Sequence, residues 1–75
     1  MAKLPRLSGK EVAKALSKNG FIAVRQKGSH LIMKKQTNEG EIGLVVPMHK
    51  EIDKGTLLEI IRQSKLTRDD FLRLL

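Results

Sequence analysis

RQKGSHLIMKK, residues 25 to 35, contains the turn on which the fold is read. Gly28-Ser29 separates two short runs, Phe21 to Lys27 and His30 to Lys35, which read as strands. A two-residue connection with glycine first suits a type II′ hairpin, because the first turn position needs positive φ. A turn of that length also sets the register. Lys27 then faces His30, followed by Gln26 with Leu31, Arg25 with Ile32, Val24 with Met33 and Ala23 with Lys34. Side chains alternate between faces along a strand. One face therefore gathers Ile22, Val24, Leu31 and Met33, and the other gathers Arg25, Lys27, His30 and Lys34, with Ile32 as its apolar exception. His30 is expected on an open cationic surface and not in the core.

Upstream, Ser8-Gly9-Lys10-Glu11 reads as a capping box, in which the serine hydroxyl and the glutamate carboxylate each take a free backbone N–H. Leu7 and Val12 occupy staple positions, and Val12, Ala15 and Leu16 recur at helical spacing. Asn19-Gly20 supplies the stop, so the first helix spans about residues 9 to 19. Downstream, Gln36 to Glu41 is expected as a polar loop. Ile42 to Val46 is a third strand that adds Ile42, Leu44 and Val46 to the apolar side, and Pro47 ends its ladder. Asp53 is the expected N-cap of a second helix marked by Leu57, Ile60 and Ile61. Thr67-Arg68-Asp69-Asp70, with Leu66 and Phe71 as its staple, opens a short last helix holding Phe71, Leu72, Leu74 and Leu75.

The order is α-β-β-β-α(-α). It predicts an α+β fold, a three-stranded antiparallel sheet with helices on one face. Residues 1–75 are expected as one domain, with 1–7 as an N-terminal tail and 67–75 as an extra C-terminal helix. The third strand runs antiparallel to the second. His49, two residues past Pro47, is thus expected near the end of the sheet where His30 stands.

A 75-residue chain buries only about 60–65% of its unfolded surface, so the core must come from a few well-patterned elements. The absence of cysteine excludes disulfides, thiolate metal sites and a cysteine nucleophile, and points to a reducing cytoplasm. MAKLPRL is too short and polar for a signal peptide, and no run approaches the roughly 18 apolar residues of a membrane span. No membrane partner is expected. A net charge of +7 and a pI near 10.2 favour a polyanion, of which nucleic acid is the commonest. Phe21 and Phe71 are the only aromatics, and Phe21 alone lies near the basic face, at its edge. Contact with the nucleic-acid backbone therefore fits better than base stacking.

Histidine exchanges protons near neutral pH. An imidazole at His30 can take the proton of an RNA 2′-hydroxyl, which then attacks the adjacent phosphorus. Arg25, Lys27 and Lys34 are placed to hold that phosphate and steady its developing charge. His49 is the candidate second acid/base group. Lys50 and Lys54 flank the start of the second helix, where free N–H groups attract phosphate. Two histidines without a carboxylate cluster make a poor metal site, so no metal or cofactor is expected. Ser29 has no nearby aspartate to orient His30, which leaves it a turn residue with Gly28. Lys10, Lys14 and Lys18 read as a solvated stripe, and Met33 and Met48 as packing residues. The rival readings are a non-catalytic RNA-binding module and a basic domain that docks an acidic protein.

Gly28-Ser29-His30 after a basic strand, Val46-Pro47-Met48-His49 after an apolar one, and Lys54-Gly55-Thr56-Leu57 opening a helix with Ile60-Ile61 resemble the HicA toxins. The resemblance covers about residues 8 to 66 in the same element order. It implies a fold similar to the double-stranded-RNA-binding domain and a metal-independent mRNA interferase that blocks translation. It also implies His30 as the catalytic residue and a HicB-type antitoxin that masks the toxin. Many relatives carry a further polar or aromatic residue after the motif histidine, where this chain has Leu31-Ile32-Met33, and not all share the helix at 67–75.

Overall fold

The computed structural model describes residues 3–75, so Met1 and Ala2 of the expected tail lie outside the described residues. The elements are α1 (Gly9–Lys18), β1 (Ile22–Lys27), β2 (His30–Thr37), β3 (Gly40–Pro47), α2 (Lys54–Gln63) and α3 (Arg68–Leu72). The strands form one antiparallel sheet in the order β1-β2-β3. This is the expected α+β architecture. Each helix begins where a short polar side chain takes a free backbone donor. Ser8 Oγ accepts from Glu11 N at 3.1 Å, and the Glu11 carboxylate accepts from Ser8 N at 3.0 Å. Asp53 does the same for α2 through Thr56 N, and Thr67 with Asp70 closes a second capping box at α3.

The turn sets the first three pairs of the hairpin as expected: Lys27 with His30, Gln26 with Leu31, Arg25 with Ile32. Gly28 has φ +59° and Ser29 is not in the positive-φ region, which matches glycine-first II′ and excludes I′. Beyond Arg25 the expected register fails. Ala23 pairs with Met33 and Ile22 with Lys34, leaving Val24 as the extra residue of a β-bulge. Strict alternation from the turn would put Phe21 on the open face. The bulge reverses the phase, and Phe21 is buried to 1% exposure. The consequence is that Ile22 and Val24, expected in the core, stand 64% and 47% exposed. The bulge buries the Phe21 ring and leaves the two aliphatic side chains on the edge strand in solvent.

The expected loop at Gln36 to Glu41 is also shorter than read. β2 continues to Thr37 and β3 starts at Gly40, so only Asn38 and Glu39 lie in the turn. Polar side chains do not stop a ladder whose bonds are made by the backbone. Here they reinforce it: Thr37 Oγ1 donates to Gly40 O at 2.7 Å, and Gln36 Nε2 donates to Glu41 Oε2 at 2.9 Å.

The helices cover one face of the sheet. Val12, Ala15 and Leu16 from α1, Leu57, Ile60 and Ile61 from α2, Met33, Leu44 and Val46 from the strands, and Phe21 just before β1 are core residues. Phe71 of α3 joins them with no exposed surface. Buried Ser64 donates through its hydroxyl to Ile61 O at 2.6 Å, and among the described residues no buried side-chain polar atom lacks a partner.

Two outcomes follow from this packing. Phe71→Ala removes the only large side chain that α3 buries, and should cost about 3–5 kcal/mol in urea unfolding. A loss below about 1 kcal/mol would mean that α3 is dispensable to the core. Hydrogen bonds from Thr56, through Oγ1 first and then N, hold the Asp53 carboxyl below the ordinary aspartate value of 3.8. A depressed folded value means stability present above 3.8 and lost as pH falls through the folded value. The stability gap between wild type and Asp53→Ala should be flat near neutral pH and close in acid below 3.8, as followed by circular dichroism.

Candidate nucleic-acid interface

The face of the sheet away from the helices is built in rows across the three strands. Lys27, His30 and Pro47 make the row at the hairpin end. Arg25, Ile32 and Val45 make the next, and Ile22, Lys34 and Gly43 the third. His30, Lys27 and Arg25 are all exposed. The imidazole therefore stands in solvent with one cation beside it in its own row and another in the row behind. The tight turn produces this arrangement, because the bulge lies beyond Arg25 and leaves the first rows untouched.

Beyond Pro47 the chain does not drift away as a free loop. Met48 N donates to Ser29 O at 2.6 Å, Gly9 N donates to His49 O at 2.9 Å, and Ile52 N donates to Leu7 O at 2.7 Å. These bonds hold His49 at the His30 end of the sheet, with its side chain exposed. Lys50, the next residue, is exposed as well.

Other expected phosphate contacts are less free. Lys34 shares the open face, and its Nζ lies 3.3 Å from a Glu41 carboxylate oxygen in a solvent-exposed ion pair that a phosphate would have to share. Glu41 reaches it because β3 starts two residues earlier than expected. Lys54 opens α2 beside a hollow lined by Arg6, Glu51 and Asp53. Asp53 already accepts from Thr56 N, so the helix start presents a carboxylate where a phosphate would sit. Lys10, Lys14 and Lys18 are exposed along α1.

Sequence reasoning missed two features. Lys35 lies on the inner side, its Nζ 2.9 Å from Asn19 Oδ1 and 5.7 Å from the centre of the Phe21 ring. It helps hold the edge that Phe21 anchors. Ile22 and Val24 are exposed on the edge strand β1, a consequence of the bulge, while Val45 (44% exposed) faces outward on β3 at the opposite edge.

Among the described residues no group of three or more histidine, aspartate or glutamate side chains could hold a metal. No helix is long and apolar enough to cross a membrane. No curated protein matches the chain significantly. A family model described as "HicA toxin of bacterial toxin-antitoxin" matches residues 9–66. That span runs from the first residue of α1, through all three strands and α2, to the turn before α3. The exposed Gly-Ser-His turn and the tethered His49 lie within it, and the chain belongs to the HicA toxin family of bacterial toxin–antitoxin systems.

Proposed function

We propose that the open face of the sheet cleaves RNA, with His30 as the general base. The observation that carries this reading is the row Lys27–His30, fixed by the turn and exposed to solvent. His30 takes the proton from a 2′-hydroxyl. The freed oxygen attacks the adjacent phosphorus and the bond to the 5′-oxygen breaks. The products are a 2′,3′-cyclic phosphate and a 5′-hydroxyl. Lys27 and Arg25 hold the phosphate and stabilise its growing negative charge. His49 is the candidate donor of the proton that the leaving oxygen needs, and Lys50 is a further phosphate contact. Lys34, bridged to Glu41, and Lys54, beside Asp53, contribute less. No step calls for a metal or a cofactor.

Family membership supports mRNA as the target and a blocked translation as the result. It also supports a pairing with an antitoxin, which we take to be of the HicB type and to meet the toxin in the cytoplasm. The exposed Ile22, Val24 and Val45 offer such a protein apolar area beside the site.

The second reading is an RNA-binding module without catalysis. Among the described residues no side chain hydrogen-bonds to the His30 ring to orient it, which is the observation in its favour. Incubation of a long single-stranded mRNA with the purified protein separates the two. Wild type should cut, and His30→Ala should lose about 10²-fold or more in rate while still binding. Equal cleavage by both proteins, or binding with no cleavage by either, contradicts the catalytic role. Binding should weaken with salt, and Lys27→Ala should reduce the log–log slope by about 0.7 if Lys27 neutralises one phosphate of a single strand. An unchanged slope removes Lys27 from the contact.

A further inference from the structure

Gly9, the first residue of α1, is buried where the chain leaves β3. A β-carbon on it would stand 2.2 Å from the Pro47 carbonyl oxygen and 2.7 Å from the Met48 Cα. Both are backbone atoms, so no change of rotamer relieves the clash; the helix or the strap at 47–52 must move. Positive φ occurs at Gly20, Gly28 and Gly40 but not at Gly9. The backbone conformation therefore does not call for glycine here, and the close approach does.

The strap seated on Gly9 carries the site. Its Pro47 is the ladder partner of His30, and its Met48 N is bonded to Ser29 O in the turn. Its His49 O takes the Gly9 N–H, one of the first-turn donors that an α-helix leaves without an internal partner. One side of the strap thus grips the hairpin of His30, the other side grips α1, and His49 projects from between them.

We propose that Gly9 is a positioning residue: its missing side chain lets the strap seat against α1, and this seat sets His49 relative to His30. The inference rests on the cleavage reading above, but part of its test does not. Gly9→Ala is compared with Ser8→Ala, which weakens the same helix end without placing an atom against the strap. In Gly9→Ala, kcat should fall by about 10²-fold with KM little changed, the signature of displaced reacting groups. The ring signals of His30 and His49 in NMR spectra should both move, while the Phe71 ring signals stay in place. Ser8→Ala should keep the wild-type kcat and the wild-type histidine signals. A Gly9→Ala enzyme that cuts like Ser8→Ala, or loses activity only in proportion to its unfolded fraction, overturns the proposal. If wild type itself cuts no RNA, the cleavage reading fails, and the ring signals alone decide the placement: moved signals uphold the seat and unmoved ones overturn it. Should Gly9→Ala not fold, hydrogen exchange of the wild-type chain takes its place. A seated strap protects the Gly9 and Met48 amides together, and exchange of Met48 at open-loop rates overturns the seat.

Discussion

The pairing of Lys27 with His30 across Gly28-Ser29 is the constraint on which the site depends. Two residues leave no slack for the strands to slide, and positive φ at Gly28 gives the bend its hand. Everything on the open face is counted from that pair. His30 stands outward because Leu31, its neighbour, faces the helices together with Val46. A shift by one residue would place the imidazole under α1 and α2 and turn Leu31 into solvent.

A second demand competes with the turn at the far end of β1. Phe21 is one of two aromatics and belongs in the core, yet the turn's register would send it outward. Val24 absorbs the conflict by standing outside the ladder. The bulge confines the damage to the edge, so the rows that hold His30, Lys27 and Arg25 keep their register. It also explains why Ile22 and Val24 stand exposed on a strongly basic surface; Val45, on β3, faces outward by simple alternation with the buried Leu44 and Val46.

What could be read from the sequence divides along physical lines. Ser8 with Glu11, Asp53 with Thr56, and Thr67 with Asp70 are contacts three residues apart, and local chemistry decides them. The hairpin turn is local too, and the orientation of His30 follows from it by counting. The bulge was hidden because it settles a contest between ladder and core that no short window contains. The extension of β2 and β3 into QTNEGE was hidden because composition reports side chains, whereas strand pairing there is made by the backbone. Two features of the site were hidden for the same reason, that they rest on contacts between separate elements of the chain. The Lys34–Glu41 bridge needs the longer β3, and the tethering of His49 needs α1 to come within contact of Pro47 and Met48.

In the proposed reaction an exposed imidazole, flanked by cations, activates the 2′-hydroxyl of RNA. The ends of the cut strands test it most directly. Mass spectrometry of the fragments should find 2′,3′-cyclic phosphate and 5′-hydroxyl termini, and a 2′-deoxy substitution at the cut position should abolish cleavage there. Fragments ending in 3′-hydroxyl and 5′-phosphate, or continued cutting at the deoxy position, would contradict it.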